Sequence, residues 1–143
     1  MRGFEKSNQT GVTLPEVMVT IAIVGILAGI ALPSYQGYIQ RSTLSEAFDG
    51  LSAFRMRMDQ AFNNNGNFGA SGCAVAVPAA TENFSFACEL TNGGQGYLVR
   101  ADGAGRMAGY AFSVDDAGRR VTLAFPGQPT LPANCWVSKK GEC

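Results

Sequence analysis

The residues that could carry chemistry are few, and their types and spacing point away from catalysis. Histidine is absent. That removes the commonest general base and the commonest metal ligand, and with them any Ser-His-Asp or Cys-His site. The four cysteines stand at 73, 88, 135 and 143. No two are spaced Cys-x-x-Cys, which speaks against zinc-ribbon and thioredoxin-like sites. Asp115 and Asp116 are adjacent on a predicted turn, but calcium needs more oxygen ligands than that turn supplies. The glycine-rich stretch Gly103–Gly109 misses the spacing of a dinucleotide-binding loop and has no parallel βαβ unit around it. No cofactor or metal site is expected. What remains is Glu16, a single carboxylate at the head of an apolar run that extends to Leu32.

A charge inside a membrane-length segment costs at least ~2.5 kcal/mol at the helix centre, so its presence asks for a partner. At 1.5 Å per residue, a helix over residues 12–32 spans about 30 Å, the thickness of a bilayer's hydrocarbon core. Arg2 and Lys6, against Glu5, favour a leader kept in the cytoplasm. Three readings compete. A cleaved secretory signal would have Gly29 and Ala31 as a poor cleavage site and gain nothing from Glu16. A plain anchor would leave Glu16 snorkelling to the interface. Cleavage after Gly11 makes sense of the charge: it frees the amine of Val12, with Glu16 one helical turn away. Amine and carboxylate then relieve each other's desolvation. If the amine belongs to a neighbouring chain, the pair sets the axial register between copies.

The elements that position this carboxylate follow from periodicity. Pro33 removes one helical hydrogen bond and predicts a kink. Beyond it, Leu44, Ala47, Phe48, Leu51, Phe54, Met58 and Phe62 recur at three- and four-residue steps, an amphipathic helix with one buried stripe. Asn63-Asn64-Asn65-Gly66 stops it. A loop follows over 66–82. Alternating runs around 84–90, 97–101, 110–114 and 121–125, divided by Gly and Asp turns, predict an antiparallel meander. With 143 residues and zero formal charge, the chain has room for one domain and no block of like charge for a nucleic-acid tail. An even cysteine count beyond a membrane segment suggests disulfides in an oxidising compartment. Of the three connectivities, Cys73–Cys88 with Cys135–Cys143 closes the shortest loops.

Gly11-Val12-Thr13-Leu14-Pro15-Glu16 before an apolar stretch resembles the type IV pilin signature. The family usually has Phe where this chain has Val12 and an aliphatic residue where it has Pro15. Proline is tolerated in a first helical turn. The resemblance implies an α+β pilin-like fold, a long helix over about 13–62 packed on a four-stranded antiparallel sheet. It implies a cleaved leader (1–11), a membrane or filament-core half (12–36) and a periplasmic globular domain (37–143). A prepilin peptidase would cut between Gly11 and Val12 and N-methylate Val12. Glu16 would then make the assembly contact with other pilin subunits. Cys135-Trp136 and Lys139 to Cys143 resemble the disulfide-closed tail loop of PilE-type minor pilins. The function implied is a non-enzymatic subunit of a type IV pilus, a minor pilin serving assembly, twitching or adhesion. It would be held in the inner membrane at the assembly platform and then exported in the pilus. The alternatives are a DNA-binding pilin, through Arg100, Arg106, Arg119, Arg120, Lys139 and Lys140, and a type II secretion pseudopilin. Pseudopilins usually lack such disulfides.

Overall fold

A computed structural model describes residues 11–143. Arg2, Glu5 and Lys6, assigned above to an expected leader, lie outside the described residues. Helix α1 runs Leu14–Asn65 and is followed by four strands: β1 (Phe84–Thr91), β2 (Gly96–Gly103), β3 (Ala111–Asp115) and β4 (Arg120–Ala124). By internal contacts the chain divides into two units, Met1–Tyr38 and Ile39–Cys143, taken here in turn.

In the first unit the helix from Val17 to Leu32 is apolar on every side apart from Thr20. Its large side chains from Val12 to Leu32, among them Val17, Ile21, Val24, Leu27 and Ile30, are about half to three-quarters exposed. The α-helix continues through position 33.

The second unit is a helix laid on a sheet. Leu44, Ala47, Leu51, Phe54 and Met58 are fully buried, the positions that the three- and four-residue pattern assigns to the inner stripe. Phe48 and Phe62 pack at its margins. The helix ends where Gly66, at φ 73°, donates its N–H to the Phe62 carbonyl at 2.7 Å. Such a left-handed residue is open to glycine and costly for others.

The sheet order is β1-β2-β3-β4, antiparallel throughout. This meander and the helix form the α+β architecture implied by the alternating runs. Phe84, Tyr97, Val99, Ala101, Phe112 and Val114 face the helix and are buried. A register shift between Ala111 and Phe112 places Phe112 opposite Thr122 and Val114 opposite Arg120. Loop 66–82 docks on the β1–β2 turn, where the Phe68 N–H donates to the Gly94 carbonyl at 2.8 Å. Disulfide Cys73–Cys88 ties the same loop to β1, and Cys135–Cys143 closes the tail.

Candidate functional site

The first turn of α1 holds Glu16. Thr13 occupies the N-cap position, one residue before the helix. Its carbonyl accepts two N–H donors, Glu16 at 3.1 Å and Val17 at 3.2 Å. Its own N–H and hydroxyl reach back to the same carboxylate oxygen, Glu16 Oε2, at 3.5 and 3.4 Å. One turn on, the Thr20 hydroxyl donates to the Glu16 carbonyl at 2.7 Å. This is one half of a capping box: the Glu16 carboxylate reaches back to the Thr13 N–H, while the Thr13 hydroxyl donates to that carboxylate instead of accepting the Glu16 N–H. The Thr13-x-x-Glu16 spacing is visible in the sequence, where Glu16 reads as the partner of a Val12 amine, its own or a neighbour's; the contact with Thr13 is additional to that reading. Gly11 and Val12 lie just ahead of the helix. Among the described residues no atom lies within 4 Å of where a Gly11 Cβ would sit, and Val12 is exposed.

The second unit contains a different polar arrangement. Trp136 stacks on Phe48 with ring centroids 5.1 Å apart, and the Arg120 guanidinium lies 4.7 Å over the indole. The indole Nε1–H donates to the Ser113 carbonyl at 2.9 Å. Asp115, Arg119, Arg120 and Trp136 line a cleft of about 850 Å³. Of the six cations between residues 100 and 143, three are paired: Arg100 with Asp102 at 2.7 Å, Arg119 with Asp115 at 2.6 Å and Lys139 with Glu142 at 2.8 Å. The Lys139 ammonium holds the Glu142 carboxyl below its ordinary pKa. The described residues contain no group of three or more metal-ligating side chains, and Asp115 and Asp116 are occupied structurally. Asp115 Oδ1 accepts the Arg119 N–H at 2.9 Å, and Asp116 Oδ1 the Tyr97 N–H at 3.3 Å. Trp136 and Thr122 escaped the residue-level reading, because their partners are distant in the chain.

Residues 6–32 match the family described as the prokaryotic N-terminal methylation motif. The solved structure of a type IV pilin from Shewanella oneidensis superposes with a TM-score of 0.51 at 20% identity, over 68% of this chain and 98% of that one. The N-terminal segment thus carries the methylation motif, and the fold is that of a solved type IV pilin. The fimbrial protein EcpC of Eikenella corrodens is 44% identical over 78 residues, 54% of this chain and 50% of that protein. The type IV major pilin protein PilE1 of Neisseria gonorrhoeae is 36% identical over 101 residues, 68% of this chain and 47% of that protein. The chain thus spans about half the length of the curated relatives it matches. These relatives carry the names of fimbrial and pilin proteins.

Proposed function

We propose that this chain is a structural subunit of a type IV pilus, carried as a minor component. The observation that supports the reading is the apolar first unit, whose side chains are exposed on every side. Such a surface needs lipid or neighbouring helices to cover it, and helix Leu14–Asn65 includes a stretch long and apolar enough to cross a membrane. In this reading a prepilin peptidase removes residues 1–11 and methylates Val12. The single apolar helix holds the chain in the inner membrane with the second unit in the periplasm, and assembly transfers that helix from lipid to the filament core. Pro33 loosens the helix between its apolar and amphipathic halves. Glu16 pairs with the Val12 amine of a neighbouring copy.

A DNA-receptor role draws less support, since three of the six cations near the sheet and tail are already neutralised by carboxylates. The test is Glu16→Ala expressed beside the wild-type chain. Removing one partner of a desolvated ion pair leaves the other uncompensated. The variant should lose its leader normally yet fall by about tenfold or more in sheared filaments. Equal recovery of variant and wild type would sink the proposal. A minor component should also stand well below the major pilin in the same preparation.

A further inference from the structure

Ser52, Arg55 and Asp59 follow one another at three and four residues, so they share one flank of α1. Together with Val114, Arg120 and Trp136 they line a cavity of about 210 Å³ between helix and sheet. Arg120 reaches that side of the sheet because it stands opposite Val114 across β3 and β4, and directly opposed residues project to the same face. Its guanidinium lies over the Trp136 indole at 4.7 Å. Stacking uses the face of a guanidinium and leaves the N–H groups at its edge free to donate. Arg55 is seated against the β3–β4 turn, where a Cβ on Gly118 would come within 2.8 Å of its Cζ. Two arginines, one from the helix and one from the sheet, thus border the same small space.

Their donors are unspent. Arg55 Nε is buried and has no hydrogen-bond acceptor among the described residues. Asp59 Oδ2 stands 3.9 Å from it, beyond hydrogen-bonding distance. Arg120 makes no ion pair among the described residues, and Asp115, which lines the adjoining cleft with it, is already held by Arg119. A buried polar atom without a partner calls for a water or an ion. Water would satisfy the donor but leave the charge: two guanidiniums against one carboxylate give the cavity an excess of positive charge, which an anion between them would neutralise.

We propose that this cavity is a binding site for a small oxyanion, a carboxylate or a phosphate group, with Arg55 Nε and the edge of the Arg120 guanidinium donating to its oxygens. Both groups match the planar fork of an arginine. The bound anion bridges α1 to β4 and adds to the stability of the second unit. The site lies wholly within that unit and does not depend on the pilus reading.

The test uses full-length chain in uncharged detergent micelles, titrated with sodium acetate or sodium phosphate while sodium chloride holds the ionic strength constant. Fluorescence of Trp136, the sole tryptophan, reads occupancy, and the melting temperature reads the same binding independently. At least one of the two anions should give a saturable fluorescence change and a concentration-dependent rise in melting temperature; which one does so identifies the group. Arg55→Gln and Arg120→Gln should each raise the half-saturating concentration ~10-fold or more, the loss of a charge-assisted hydrogen bond. Arg57→Gln removes the same charge from an exposed position outside the cavity and should titrate like wild type. Should Arg55→Gln fail to fold, Arg120→Gln, altered at an exposed position, still decides the matter. A response that never saturates with either anion, or one that Arg120→Gln leaves unchanged, would overturn the site. So would an equal loss in Arg57→Gln, which would mark general attraction to the surface charge.

Discussion

Thr122→Val should destabilise the second unit by ~2–4 kcal/mol through the loss of one hydroxyl. Thr122 is fully buried on β4. Its Oγ1 donates to the Cys135 carbonyl at 2.6 Å and accepts the Val137 N–H at 2.9 Å. Its backbone exchanges two further hydrogen bonds with Ala133, at 2.9 and 3.0 Å. Four bonds thus fasten the irregular tail to the sheet through one residue. Valine has nearly the same shape and preserves the backbone pair, but strands the Cys135 carbonyl and the Val137 N–H. Val137 is itself fully buried, so water cannot replace the lost partner. Each stranded group costs ~1–3 kcal/mol. At roughly 4 °C per kcal/mol for a unit of this size, the melting temperature should fall by about 8–16 °C. The assay is denaturation of residues 39–143 with disulfides intact, followed through Trp136, the sole tryptophan, which rides on the same tail. Thr122→Ser should recover most of the loss. A change below ~0.5 kcal/mol for Thr122→Val, the size of an ordinary surface substitution, would refute the clamp.

Tyr97 is fully buried, and its hydroxyl has no hydrogen-bond partner among the described residues. Burial, with Asp59 adding to it, pushes its pKa well above the ordinary 10. A raised folded pKa means that the unfolded chain loses its proton first, so stability is full below pH 10 and declines above it. The slope reaches ~1.4 kcal/mol per pH unit. Tyr97→Phe should remove that decline, seen as a flatter denaturation profile above pH 10, while leaving neutral stability equal or higher. Removing the disulfides separately should cost ~2.5 kcal/mol for Cys135–Cys143 and ~3 kcal/mol for Cys73–Cys88, following their sequence separations of 8 and 15. Urea titration of the double serine variants reads both. Gly103→Ala should cost ~1–3 kcal/mol in the same titration, because a Cβ there would overlap the Met107 and Tyr110 carbonyl oxygens.

The architecture was legible because two simple periods carry it. The three- and four-residue recurrence from Leu44 to Phe62 marks a helix face, and strict alternation at Phe84–Leu90 marks a half-buried strand. Glycines and asparagines then fixed the boundaries to within a few residues: the helix continues to Asn65 rather than 62, since Gly66 is the first residue in a left-handed conformation. The structure joins the cysteines into the two shortest loops, the pairing expected out of the three that four cysteines allow. What stayed hidden depends on contacts between distant segments. Nothing local marks Thr122 as the clamp of the tail, and Trp136 gives no sign that Phe48 and Arg120 cover its two faces. The Thr13–Glu16 cap was local and readable, but attention to the missing partner of a buried charge obscured the partner already present in the chain.

The central claim is that Gly11–Val12 is a processing site and that the shortened chain enters a filament. Intact-mass and N-terminal analysis of the chain recovered from sheared pili tests it directly. The account predicts a chain beginning at N-methylated Val12, with Gly11→Val retained at full length in the cell envelope and missing from filaments. A wild-type chain that still begins at Met1, or that never appears in the sheared fraction, would contradict it.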